Sequence, residues 1–481
     1  MKKRILTLVA ALAAAALLAA CGDKPPAVTT TDTSAGDTSV TDADMLGIPE
    51  TADYGGEAFN ILSAGNVAYA DFTADETAST PLDSAQYRRK ALVEQNYGVK
   101  IAETVEKAYS SGGGPGYKRL STDANAGDCN FDLALVAGYD VTVLAYSDYL
   151  YDLASIPGID LSKSWWDKRA NENLAVRGVM FFTTGEITVS DNDVAFVILF
   201  NKELRKAYDL DDPYSLVYDG EWTLDTFGAL CKTVTEDLDQ NGIMDANDRF
   251  GVLVWDDSVV GIVNAAGQRC CTIAEDGTIG LTLYNETTLA ALDKYFSIIY
   301  DTQYALTYQR EKVDPLEMWQ ADKGLFWMNT MTRIPQLRGM ESDFGILPYP
   351  KLNAEQQDYY TTVAPYNSQF VCVPLIQKDI ERTGIITEAL AYYGEKIVTP
   401  AYYDVNLVGQ STRDEESADM LEIIFDNLVF DIGYYYQVGP YNKQLIRMVQ
   451  ERDTNFTSMY DSYKTSAERL LTVINTYYAK I

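Results

Sequence analysis

The run Val194-Ala195-Phe196-Val197-Ile198-Leu199-Phe200, followed at once by Asn201-Lys202-Glu203-Leu204, is continuously apolar and then turns polar at a helix-opening asparagine. A strand without polar alternation needs cover on both faces, so this segment predicts a helix-covered α/β sheet. The flanking sequence repeats that theme. Phe59-Asn60-Ile61-Leu62-Ser63 reads as a strand, Asp83 with Gln86 three residues on reads as a helix cap, and that helix stops at Gly98 before the strand Val99-Lys100-Ile101. Ser110 to Gly116 (SSGGGPG) reads as a loop, and Phe131 to Val136 as another strand, with Gly138-Tyr139-Asp140 at its carboxyl end. Open α/β sheets bind ligands at that end. Thr272 to Thr282 predicts a hairpin with a type I′ turn at Asp276-Gly277, and the apolar spacing from Ser458 predicts an amphipathic closing helix.

The chain has 481 residues, more than one core can serve, so two lobes are expected. A net charge of −32 repels polyanions and excludes nucleic acid as a partner. With no histidine, Ser-His-Asp and Cys-His nucleophile systems and most catalytic zinc sites are excluded. Cys129, Cys231, Cys270, Cys271 and Cys372 are an odd set without motif spacing and read as buried small apolar residues. Thirty-four tyrosines supply rings with a polar tip, suited both to core packing and to stacking on ligands.

The amino terminus has a cationic start, an apolar run from Ile5 to Ala20, and then Leu18-Ala19-Ala20-Cys21-Gly22. This reads as a signal peptide, residues 1–20, too short for a comfortable membrane span. It resembles a bacterial lipoprotein signal, which implies diacylglyceryl modification of Cys21 and anchoring to the outer face of the cell membrane, with no other membrane contact. Residues 21–53 are rich in Thr, Ser, Asp, Ala and Gly and read as a flexible tether.

Between Asp237 and Asp248 the spacing matches a calcium loop, with Asp237, Asp239, Asn241, Asp245 and Asp248 as oxygen donors, the Ile243 carbonyl, and Gly242 at the sharp turn. Asp248 replaces the usual longer glutamate, and Phe250 to Trp255 reads as a strand where a sensor would have an exiting helix. The reading is a structural ion or an Asp-rich turn rather than a sensor; no other cofactor is expected.

Several segments together resemble the lipid-anchored extracellular solute-binding proteins (family 1, sugar-binding type) of ABC importers. They are YGGEAFNIL from residue 54, LDSAQYRRKALVEQNYGVKI from 82, WWDKRANENLAVRG from 165, GEITVSDNDVAFVILFNKEL from 185, DFGILPYPK (343–351), ERTGIITEALAYYG (381–394) and PAYYDVNLVGQSTRDEESADML (400–421). The resemblance implies a two-lobed periplasmic-binding-protein-like α/β fold with discontinuous lobes, 54–187 plus 351–398 and 188–350 plus 399–481, and a ligand cleft between them. It further implies capture of a carbohydrate or other small solute, delivery to permease subunits of an ABC importer, a monomer, and no catalysis.

Sugar recognition needs flat rings against pyranose faces and planar hydrogen-bonding groups for hydroxyls. Candidates of the right type and position are Asn66, Tyr139, Asp140, Tyr366 and Asn367 in the first lobe, and Asp191, Asp193, Trp255, Asp256, Asn329, Arg333 and Tyr435 in the second. Asn329 and Arg333 fall in GLFWMNTMTRI, which resembles a cleft-lining segment of maltose-binding relatives, with Met331 where those carry Trp. A competing reading is a surface glycoside hydrolase using Asp191 and Asp193, since that chemistry needs only two carboxylates.

Overall fold

The computed structural model describes residues 46–67, 70–74, 80–301, 303–337, 339–403 and 415–481. The predicted signal peptide, Cys21 and the tether up to residue 45 lie outside them. The strands in chain order are β1 (Glu57–Gly65), β2 (Val99–Lys107), β3 (Leu133–Ala137), β4 (Phe196–Asn201), β5 (Phe250–Val254), β6 (Cys271–Ile273) and β7 (Ile279–Leu281). They continue with β8 (Ala305–Thr307), β9 (Gly324–Thr330), β10 (Phe344–Leu347), β11 (Thr361–Thr362), β12 (Gln369–Cys372) and β13 (Leu428–Val429).

Two main sheets result, ordered β12-β3-β1-β2 and β10-β4-β9-β5-β8. In the first, β1, β2 and β3 are parallel, and β12 returns from far down the chain to pair antiparallel with β3. In the second, β5 runs parallel to β8 and β9, while β4 lies antiparallel between β9 and β10. Every residue of β4 is buried, as its unbroken apolar sequence requires. Short pairs, β11 with β13 and β6 with β7, complete the strands.

The helix Pro81–Tyr97 starts three residues earlier than the Asp83–Gln86 spacing suggested. Pro81, which has no N–H to satisfy, takes the first helical position, so Thr80 becomes the cap and accepts from the Asp83 amide at 3.1 Å. Gln86 is turned instead to Asp71, at 2.7 Å. The predicted end is observed: Gly98 closes the helix at φ 61°. The SSGGGPG loop is shorter than predicted, because Pro115 opens a helix to Ala126. Gly116 lets that helix lie on β3; a Cβ there would sit 2.3 Å from a Val136 methyl.

The hairpin forms, but around Ala274 to Thr278, with only Gly277 at positive φ (77°). A type I′ turn needs two such residues, so that prediction is corrected. The closing helix is Phe456–Tyr478. It touches both halves of the molecule: Asn475 bonds the β7 backbone, and the Tyr477 hydroxyl donates to Asp148 at 2.9 Å.

Two further expectations change. The tether ends before Asp53, since Leu46 and Ile48 are buried and the Tyr97 hydroxyl donates to the Pro49 carbonyl. Among the cysteines, four are buried and free, but Cys129 is exposed in the loop after the helix ending at Ala126.

Candidate functional site

The candidate residues gather at the carboxyl ends of the parallel strands in both sheets. On the first sheet, β1 leads to Asn66, β2 to Tyr109 and β3 to Gly138-Tyr139-Asp140; antiparallel β12 begins there, just after Tyr366 and Asn367. Gly138 is needed for close approach, because its N–H donates to the Pro365 carbonyl at 2.7 Å and a Cβ would strike that oxygen. The Tyr139 and Tyr366 rings lie 6.1 Å apart, Tyr109 lies 6.5 Å from Tyr366, and Tyr434 meets Tyr139 edge-on at 6.1 Å. The Tyr139 hydroxyl accepts from the Asn442 amide at 2.6 Å.

Asp140 is fully buried and its Oδ1 accepts the Gly112 and Gly114 amides at 3.1 and 2.9 Å. It therefore fixes the glycine loop that follows Tyr109. Asn66, exposed, donates to Asn367 at 2.8 Å at the edge of this group.

On the second sheet, β5 leads to Trp255-Asp256-Asp257, β8 to Tyr308, and β9 through Asn329 to Arg333. Trp255 packs on Phe196 at 4.8 Å. Asp256 accepts from the Gln450 amide at 2.5 Å. The Asn329 amide donates to the Tyr308 hydroxyl at 2.9 Å, and Arg333, half-buried, reaches Gln336 at 3.4 Å.

The two sheets meet where the Tyr366 hydroxyl donates to Asp257. Burial pushes the Asp257 carboxyl up to about 7, and Asp256 beside it adds to the rise against the opposing Tyr366 hydrogen bond. Burial likewise raises Asp256. Asp257 acts electrostatically on Tyr109, Tyr139 and Tyr366 and, from the other part of the chain, on Tyr308 and Tyr434. The result is a carboxylate surrounded by tyrosines.

The structure thus brings Tyr139 and Tyr366 together with Asp257 beside Asp256, and joins Asn329 to Tyr308, while Trp255 packs on Phe196 and Arg333 reaches Gln336. It turns other candidates elsewhere. Asp191 is buried against Thr184, and burial, then Asp167 and Glu186, drive its carboxyl well above the ordinary range. Asp193 accepts from the Tyr402 hydroxyl at 2.8 Å. Tyr435 is fully buried, donating to the Val363 carbonyl at 3.2 Å. Sequence reasoning passed over Asp257, Tyr109, Tyr308 and Tyr434. The available signal was position: each stands within a few residues of a strand's carboxyl end or in the tyrosine-rich segment 434–436.

In the Asp-rich loop, carboxylate oxygens of Asp237, Asp239 and Asp248 lie within 4.8 Å of one another, which fits a hard cation. All five side chains also accept backbone amides of the loop: Asp237 from Gly242 at 2.8 Å, Asp239 from Asn241 at 3.1 Å, Asn241 from Ile243 at 2.7 Å, Asp245 from Asn247 at 2.8 Å, and Asp248 from Leu238 and Asp245 at 2.9 Å. β5 follows directly, as the sequence indicated.

No family model matches the chain, and no curated protein does. Solved structures do match. The galacto-N-biose/lacto-N-biose I-binding protein of a Bifidobacterium longum ABC transporter, in complex with lacto-N-biose, aligns over 88% of this chain and 98% of its own, with TM-score 0.56 and 14% identity. An ABC substrate-binding protein of Listeria monocytogenes in complex with cycloalternan covers the same shares at TM-score 0.53 and 13% identity. The maltose/maltodextrin-binding domain of Bdellovibrio bacteriovorus bound to maltotriose aligns over 88% of this chain and 99% of its own, at TM-score 0.51 and 13% identity. This chain has the two-lobed periplasmic-binding-protein-like fold. At such identities the likeness is one of fold, and it explains why the strand ends of two separate sheets converge: the cleft of this fold lies between them.

Proposed function

We propose that the chain is an extracytoplasmic solute-binding protein that captures a carbohydrate between its lobes and delivers it to the permease subunits of an ABC importer. The observation that carries this reading is the contact of Tyr366 with Asp257, which joins the carboxyl ends of the two sheets amid aromatic rings. Rings of that kind suit pyranose faces, and the carboxylates suit hydroxyls. The lobes are proposed as 54–187 plus 351–398 and 188–350 plus 399–481. Binding does no chemistry; a solute that touches both lobes favours the closed arrangement through its differential contacts. Among the described residues no helix is long and apolar enough to cross a membrane. Attachment is proposed through lipidated Cys21 alone, with the folded part monomeric.

A thermal-shift screen over mono- and oligosaccharides tests the reading. A solute at a hundred times its dissociation constant should add about 2.7 kcal/mol of stability and remain uncleaved, and small-angle scattering should show compaction. Release of shorter sugars would favour the hydrolase reading; a screen without any shift would count against carbohydrate capture. In cells, Cys21→Ser should move the protein to the soluble fraction, and its retention after a salt wash would reject the anchor.

We also propose a stabilising calcium ion held by Asp237, Asp239 and Asp248. Chelation should lower the melting temperature of the parent chain but not of the Asp237→Ala, Asp239→Ala double variant. An equal response of the two would dispose of the ion.

A further inference from the structure

The cleft is rich in acceptors and poor in positive charge. Asp256 is buried and Asp257 half-buried, and among the described residues the side chains bonded to them are neutral donors, the Gln450 amide and the Tyr366 hydroxyl. No Lys or Arg among the described residues acts on either carboxylate. Arg333, the basic candidate on this side, acts on Tyr308. Both carboxyls are already largely held away from water without a counter-charge, which is why burial raises both and takes Asp257 to about 7; a cation brought beside them would favour their charged forms. An ammonium group supplies both the charge and three donors, and the exposed ring of Tyr109 with the half-buried ring of Tyr366 offers it cation–π contact. The net charge of −32 would draw such a solute toward the protein.

We propose that the solute is a cationic carbohydrate, a saccharide bearing a protonated primary amine that is held between Asp256, Asp257 and the rings of Tyr109 and Tyr366. This rests on the carbohydrate-capture reading above.

Calorimetry at pH 7 with glucose, glucosamine and N-acetylglucosamine, and with their β-1,4-linked dimers, varies one substituent on a constant ring. The amine should bind at least about tenfold more tightly than its two neutral counterparts, the scale of one charge-assisted hydrogen bond. Asp257→Asn should abolish that preference. Equal or tighter binding of a neutral member would overturn the cationic assignment and leave carbohydrate capture standing. Tight binding of spermidine with no sugar bound would retain charge selection but overturn the carbohydrate, and with it the proposal. Silence from every probe would overturn the proposal as well, and the neutral-oligosaccharide screen would then decide separately whether carbohydrate capture survives.

Discussion

Arg382→Met is expected to destabilise the protein by about 3–5 kcal/mol, measured by chemical denaturation, while leaving solute affinity unchanged. The guanidinium is nearly buried, with its side chain 9% exposed, and it bonds Asp132 at 2.6 Å and Glu57 at 2.9 Å. Asp132 is the decisive partner. Its Oδ1 also accepts the Gln377 amide at 2.7 Å and its Oδ2 the Asn60 backbone N–H at 2.7 Å, so one carboxylate joins β1, the entry to β3 and the helix Ile380–Tyr393. Removing the arginine leaves that carboxylate buried with neutral donors alone, and the uncompensated charge is what makes the loss large. Glu57, exposed, contributes little because water screens it. Arg382→Met combined with Asp132→Leu should therefore lose less than the sum of the two single changes. The site lies at the amino ends of the strands, away from the cleft, which is why affinity should hold. A loss below about 1 kcal/mol would mean that the pair is solvated and that its apparent network does not act as a unit.

The α/β class was legible because hydrophobic pattern acts locally. Val194 to Phe200 could not be anything but a covered strand once its length and flanking Asn201 were read, and Asn201 does cap the next helix by accepting the Leu204 amide. Gly98 and Phe456 to Tyr478 were legible for the same reason. The helix start at Thr80 was less so, since two polar residues near a proline competed for one cap. The site was only partly legible. Its rings and carboxylates come from segments near residues 109, 139, 257, 308, 366 and 434, and spacing along the chain says which residues lie at a strand end but not which way each side chain turns. Asp191 and Asp193 show the difficulty. They stand directly before β4, as a cleft residue should, yet Thr184 and Tyr402 take them. Asp256 and Asp257 are adjacent and chemically identical; only the fold puts Asp257 under the Tyr366 hydroxyl. Leu46 and Ile48 were masked by the polar composition around them, although two large apolar side chains so close together have reason to find a core.

Asp431→Ala should cost about 3–5 kcal/mol too, but with loss of solute binding, because this residue joins the core to the cleft. Its carboxylate is 3% exposed. Oδ2 accepts the Cys270 amide at 2.6 Å and the Asn264 side chain at 3.2 Å, while Oδ1 accepts the amides of Gly433, Tyr434 and Cys271 at 3.0, 3.3 and 3.4 Å. Burial raises its pKa, and these hydrogen bonds oppose the rise by favouring the charged form. Alanine would leave several buried donors without an acceptor, each worth about 1–3 kcal/mol before the chain relaxes. The start of β6 and the short helix Ile432–Tyr435 would then lose their common anchor. That helix carries Tyr434, which packs on Tyr139, and Tyr435, which packs on Phe370 of β12. Loosening it should displace Tyr139 from its place between Tyr434 and Tyr366, so the dissociation constant should rise about tenfold or more as stability falls. Asp431→Asn keeps the shape and one acceptor oxygen, and should fall between the parent and the alanine variant on both measures. Full affinity in a destabilised Asp431→Ala protein would show that the Tyr434 ring holds its position independently, and would separate the core anchor from the site.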